Sequence, residues 1–294
     1  MPADALFDVK TAFYIGNYQA CINEAQGTKV ETSEEKCTLD VFMYRSYIAL
    51  KKYGLVLDEL KSYSGPDEVR DLRLLAEFLS EEPSNRTASL SALEKRLGSF
   101  SPDNVTLPIV AATIYLHQND PENALKVLYN CDTLEAIALS LQCYLQLNRL
   151  DLATKEMKRM MVKDEDAPLT QLCSGWLHLY MGGDKLQEAM YTFTEMGERH
   201  GKTPLLVVGI ASVLIAQGKF EEADECLAES LEKDPNHVET VINQIVVSQF
   251  LGKSPEVCTR LLSQLKISNA SHPFVQEYQA KEQEFESLCQ SFTP

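Results

Sequence analysis

Residues Leu205–Pro235 read LLVVGIASVLIAQGKFEEADECLAESLEKDP, and the spacing of their apolar residues decides the fold. Val207, Ile210, Ala211 and Leu214 recur at intervals of three and four, and Gln217-Gly218-Lys219 then breaks the pattern. It resumes at Phe220, Ala223, Leu227 and Ser230 and stops at Asp234-Pro235. Intervals of three and four trace one face of an α-helix, so the stretch predicts two amphipathic helices joined by a turn at Gly218. The small side chains of Ala211 and Ala223 let two antiparallel helices approach closely. One such pair cannot bury its own apolar face, so further copies are required.

The copies are present. Positions 189, 223 and 257, each 34 residues apart, hold Ala189, Ala223 and Val257. Leu227 likewise matches Phe193 and Leu261, and Gly218 matches Gly252. A helix pair with this period resembles the tetratricopeptide repeat. The predicted fold is therefore all-α, a tetratricopeptide-like helical-repeat solenoid curved into a superhelix, one domain over residues 1–294. Repeats fill 4–100 and, more regularly, 108–268, and a polar, glutamate-rich capping helix fills 272–290. Solenoid caps must be wet on their outer face.

Between the two blocks, SFSPDNVTL at Ser99–Leu107 combines loop residues with β-branched ones and predicts a short irregular or extended interruption. The acidic stretch Gln26–Lys36 reads as a long solvated loop or a frayed extension of the second helix. Asp120-Pro121 reads as a helix cap followed by proline in the first turn. Asn236-His237-Val238-Glu239 is spaced like a capping box.

Net charge is −16, from 43 acidic against 27 basic residues, which argues against gripping phosphate backbones. It suits solubility or a basic protein partner. The amino-terminal MPADALFDVK has no charged-then-apolar signal region, and no apolar run approaches the roughly 18 residues of a membrane span. A cytosolic protein is expected, with only indirect membrane contact. Cys21, Cys37, Cys131, Cys143, Cys173, Cys226, Cys258 and Cys289 form no CxxC pair and read as reduced thiols on helical faces. The N-x-S/T triplets at Asn85, Asn104 and Asn269 are then compositional accidents.

No catalytic, metal or cofactor site is expected. Gly201-Lys202-Thr203 resembles the end of a phosphate loop, but Gly197 stands one residue too close and a helix precedes in place of a strand. Thr203-Pro204 reads better as a helix start. His117, His178, His200, His237 and His272 are scattered, and Trp176 lies on an apolar face. Nothing assembles a nucleophile, a base and an oxyanion donor.

A binding surface is more plausible chemistry. In this kind of repeat the first helix of each pair lines the concave surface. The candidate positions are Ile109, Thr113 and Leu116, then Val208, Ser212 and Ile215, then Ile242, Val246 and Gln249. A groove for acidic peptide tails, as in a chaperone-type adaptor, would carry Lys, Arg and Asn there. These positions are mostly apolar, so either the solenoid curls to bury them against itself or another folded chain fills the groove.

Four longer stretches carry a more specific resemblance: LFDVKTAFYIGNYQACINEAQ at Leu6–Gln26, RLDLATKEMKRM at Arg149–Met160, GKSPEVCTRLLSQLK at Gly252–Lys266 and SHPFVQEYQAKEQEFE at Ser271–Glu286. They resemble the coatomer epsilon subunit family over nearly the whole chain. Departures are greatest at Gln26–Lys36 and Glu81–Ser101. The resemblance implies a non-catalytic vesicle-coat subunit in Golgi-to-endoplasmic-reticulum and intra-Golgi transport. It implies a repeat array that embraces the carboxy-terminal domain of the alpha subunit, and a peripheral location on Golgi membranes and coated vesicles.

Overall fold

The computed structural model describes residues 5–81, 85–99, 101 and 104–292. Seventeen helices and no strand occur among them. They alternate as first and second members of pairs, with one helix left over. The pairs are α1 (Phe7–Tyr14) with α2 (Tyr18–Gly27), α3 (Ser33–Ala49) with α4 (Tyr53–Lys61), α5 (Asp67–Ser80) with α6 (Thr87–Leu97), and α7 (Thr106–His117) with α8 (Pro121–Leu128). Next come α9 (Leu134–Gln146) with α10 (Leu150–Lys163), α11 (Pro168–Met181) with α12 (Lys185–His200), α13 (Pro204–Ala216) with α14 (Phe220–Lys233), and α15 (Val238–Phe250) with α16 (Pro255–Ser268). The single α17 (Pro273–Ser291) ends the series.

The turns explain the periodicity in backbone terms. At Gly16, Lys51, Asn119, Asn148, Gly218 and Gly252 the backbone takes φ between 55° and 80°. At each, that residue's N–H donates to the carbonyl three back, and the next N–H donates to the carbonyl five back, as Lys219 does to Leu214 at 2.9 Å. This pairing satisfies the orphan carbonyls of the first helix and reverses the chain in two residues. Glycine and asparagine tolerate that conformation with least strain.

The ladder residues are buried as the spacing predicts: Val56, Ala124, Ala153, Ala189, Phe193, Ala223 and Leu227 are wholly inaccessible, and Leu60 nearly so. Trp176 is half-buried and meets the Phe193 ring edge-to-face at 5.1 Å.

Two compact units form, Met1–Leu205 and Leu206–Pro294. In the first, the leading helices α1, α3, α5, α7, α9 and α11 pack each on the next, and α1 packs on α11, so the series closes into a ring. The closure has named contacts. Tyr14 packs against the cluster of Ile137, Leu141, Leu169 and Cys173. The Thr203 hydroxyl donates to the Ile15 carbonyl at 2.6 Å. A Cβ on Gly16 would stand 3.3 Å from Leu205 Cβ, so glycine here serves both the turn and the close approach. In the second unit, Val241, Ile242 and Ile245 of α15 pack with Leu261 and Leu265 of α16 and Val275 of α17.

Several local expectations are corrected. The Gln26–Lys36 loop is shorter than predicted, because Thr32 and Glu35 form a capping box that starts α3 at Ser33. Between α6 and α7 the described residues are turn and irregular, the first of the two expected forms, but α7 already begins at Thr106 inside that stretch; Phe100, Pro102 and Asp103 lie outside the described residues. The reason is a buried polar network. The Asp71 carboxylate accepts from Arg96 Nε at 2.7 Å and from Asn104 Nδ2 at 2.7 Å. Asn104 Oδ1 in turn accepts the N–H groups of Thr106 and Leu107, both at 3.0 Å, which starts α7. The triplet at Asn104 is thus buried and engaged. Asp120 caps α8 through the Asn123 N–H, as predicted.

Asn236–Glu239 is not a capping box. The His237 imidazole accepts the Thr240 N–H at 3.3 Å, and Glu239 faces His272 at 3.2 Å. Burial holds the His237 imidazole below the ordinary histidine range, with Asp234 and Glu239 pulling the other way. The unfolded chain therefore takes up the proton first. The cap's stabilisation is present above about pH 6.5 and is lost as pH falls below that value toward the folded pKa. His117 and His178, also lowered by burial, add the same sign of slope in the first unit. His237→Asn retains an N-cap that does not titrate. Far-UV thermal melts of this variant should lose less stability than the parent between about pH 7 and about pH 5.

Candidate interaction site

The ring helices, most of them through their first turns and α3 along much of its length, line a cavity of about 770 Å3 in the first unit. α1 contributes Phe7, Lys10 and Thr11, and α3 contributes Phe42 and Arg45. Glu68, Ile109, Glu135 and Leu169 come from α5, α7, α9 and α11. All but Phe42 and Arg45 arrive there because the pairs present the start of every leading helix on the same side.

Arg45 crosses this space. It is an ionic residue in the otherwise apolar run of α3, between Phe42 and Ile48. Its guanidinium pairs with the Glu135 carboxylate at the start of α9. It also lies 4.6 Å from the Phe13 ring centre and 5.5 Å from that of Phe42. Burial works against its charge, but the Glu135 carboxylate more than compensates and raises the pKa above the ordinary arginine value. Around it, Phe13, Tyr14 and Phe42 pack edge-to-face with centroids 5.3–5.8 Å apart.

The remaining polar groups favour binding over reaction. The Cys37 thiol is pushed up to about 11 by burial first and then by the negative field of Glu68, Asp40 and Glu34, so it stays protonated and a poor nucleophile. The Thr11 hydroxyl is buried in the wall without a hydrogen-bond partner. A buried hydroxyl left so costs about 1–3 kcal/mol. At the rim, Phe7 and Val105 remain 46% and 49% exposed. Among the described residues no cluster of three or more His, Cys, Asp or Glu is placed to hold a metal ion, and no helix is long and apolar enough to cross a membrane.

Of the nine positions singled out from sequence, Ile109 lines this cavity. Thr113 and Leu116 lie half-buried further along α7, the Thr113 hydroxyl donating to the Ile109 carbonyl at 2.8 Å. The other six belong to the second unit. Val208 and Ile242 are buried, Ser212, Ile215 and Val246 are half-buried, and Gln249 is exposed. Most of the residues that sequence reasoning missed sit at helix starts, while Phe42 and Arg45 lie in the second half of α3. Arg45 alone carried a signal, as a charge inside an apolar face.

Comparison with known proteins places this architecture. The family model described as coatomer epsilon subunit matches residues 2–293. The chain is 36% identical to coatomer subunit epsilon-1 of Arabidopsis thaliana over 290 residues, 98% of this chain and 97% of that one. It is also 36% identical to coatomer subunit epsilon of Dictyostelium discoideum over 293 residues, 97% and 98% of the two chains. Its fold is similar to a thermophilic tetratricopeptide repeat protein from Thermus thermophilus, with a TM-score of 0.51 and 16% identity over 62% of this chain and 99% of that one. Paired helices at the tetratricopeptide period, matched end to end by coat subunits of plant and amoeba, leave one conclusion: the chain belongs to the coatomer epsilon subunit family and is a component of the coatomer.

Proposed function

We propose that this coat component is a non-catalytic scaffold that binds the carboxy-terminal domain of the coatomer alpha subunit, takes a segment of it into the ring cavity, and stabilises it within the coat. On this reading the chain works in the cytoplasm, peripherally on Golgi membranes and coated vesicles, in Golgi-to-endoplasmic-reticulum and intra-Golgi transport. It needs no cofactor and touches no nucleic acid. The observation that carries the reading is the cavity itself, with an apolar rim at Phe7 and Val105 and an unpartnered Thr11 hydroxyl in its wall. A chaperone-type adaptor for acidic tails fits less well, because Glu34, Glu68 and Glu135 share the lining with Lys10 and Arg45, and Arg45 is already paired.

The test is co-expression of the full chain with the alpha-subunit domain, followed by size exclusion and thermal melting. A 1:1 complex is expected, melting above the free chain, since a ligand at about 100 times its Kd adds about 2.7 kcal/mol to the native state. Phe7→Asp and Val105→Asp should each abolish co-elution while leaving helicity intact, because both side chains are half exposed. Val246→Asp probes the inner positions of the second unit, and loss of the complex there but not at Phe7 or Val105 would move the contact. No co-elution with the parent chain would overturn the proposal.

A further inference from the structure

The apolar residues of α17 fall on one helical face. Phe274, Tyr278, Phe285, Leu288 and Phe292 follow one another at intervals of four, seven, three and four. Phe274 and Tyr278, at the beginning of that face, are half-buried within the second unit beside Val275. Val275 is buried against Ile245, Leu261 and Leu265, and the Lys266 ammonium lies 5.4 Å from the Tyr278 ring centre. Glu282 is tied back to Lys266 at 2.7 Å. The helix then runs on through residues 283–291, and its apolar face runs with it into solvent. Phe285, Leu288 and Phe292 are 67%, 58% and 81% exposed. Among the described residues no helix follows α17.

Charge says what kind of helix fits. The stripe is bordered by Glu277, Glu282, Glu284 and Glu286, of which Glu282 is paired with Lys266 and Glu284 at 2.9 Å with Lys281, the one base on the stripe, while Glu277 and Glu286 remain to meet a partner's charge. A second copy of α17 would set these glutamates against their own kind, on a chain whose net charge is already −16. A helix with an apolar stripe and Lys or Arg along its edges would bury the aromatic face and pair its borders.

We propose that the Phe285–Leu288–Phe292 face of α17 is a docking site for a basic amphipathic helix of another protein chain. The site stands on the second unit alone, so it survives or fails independently of what occupies the ring cavity.

The probe is a fluorescent leucine–lysine amphipathic helical peptide, with its leucine–glutamate counterpart as control, titrated against the full chain by anisotropy. The leucine–lysine peptide should bind, and the leucine–glutamate peptide should not. The double variant Phe285→Asp/Leu288→Asp should weaken binding about tenfold or more. That sign is decisive, because two added carboxylates would strengthen any merely electrostatic attraction. Alkylation of Cys289, which is exposed beside Leu288, should slow when the peptide is bound. Equal or tighter binding by the variant would overturn the proposal, as would no binding by the parent. A dimer of the parent in sedimentation that the variant abolishes would also overturn it, by giving the face to a second copy.

Discussion

Glu135→Ala should destabilise the first unit by about 3–5 kcal/mol, because it strands the Arg45 guanidinium in the ring interior without its counter-charge. Only 14% of the Arg45 side chain and 16% of the Glu135 side chain reach solvent, so water from the cavity replaces the lost partner only in part. The pair also joins α3 to α9 across the ring, not along it. The same physics predicts a rescue. Arg45→Met/Glu135→Leu removes both charges together and should cost less than Glu135→Ala alone, since apolar replacement of a buried pair is often neutral or better. Urea unfolding followed by tryptophan fluorescence checks both, because the chain's one tryptophan, Trp176, lies in this unit. A Glu135→Ala chain as stable as the parent would show that Arg45 finds solvent or another carboxylate. The variant should also weaken binding of the alpha-subunit domain if the ring cavity holds it.

Phe193→Ala should cost about 3–5 kcal/mol, the range for removing a fully buried phenyl ring. Phe193 of α12 is wholly inaccessible and stands under Gly175 of α11, where an added Cβ would come within 2.9 Å of the ring. Phe193→Leu places here the residue that Leu227 and Leu261 supply one and two periods later, and should cost only about 1–2 kcal/mol. The closeness of Gly175 gives the sharper result, a change of sign. Gly175→Ala should destabilise the parent by overpacking. In the Phe193→Leu background it should be neutral or stabilising, because the smaller side chain makes room and alanine is the better helix former by about 0.5–1 kcal/mol. Additive effects in the denaturation cycle would mean that the two positions do not press on each other. Far-UV circular dichroism is the readout, since Trp176 touches the mutated ring.

The helix pairs, their turns and their ladder residues were legible in the amino-acid sequence because each is a local property. Ala223, Leu227 and Gly218 are set by intervals of three, four and 34 residues, and a helix buries the same face wherever it is placed. Capping was legible where the side chain acts within its own turn, as Asp120 does for Asn123. The turn at Lys51 was less visible, because lysine at φ 58° is a strained choice that no residue preference announces. The start of α7 was read as interrupted for a different reason. Asn104 is held there by Asp71, 33 residues earlier, and no local pattern records such a partner.

Family membership was readable as well, since whole stretches such as Leu6–Gln26 carry it and the match extends from residue 2 to 293. The candidate site was legible in kind, as an inner surface of the leading helices, but not in place. Periodicity selects Ile109, Thr113 and Leu116 along one face of α7, of which Ile109 reaches the cavity, whereas most of the lining comes from helix starts brought together by the closing of α1 on α11. That closure, like the Arg45–Glu135 pair at a separation of 90 residues, depends on small rotations accumulated from one pair to the next. Each rotation is set by side-chain volumes at a packed interface, such as the space Gly175 leaves for Phe193. Sequence alone determined what repeats and which face is apolar. The tertiary structure decided where the repeats meet, because only packed volumes fix the angle between one helix pair and the next.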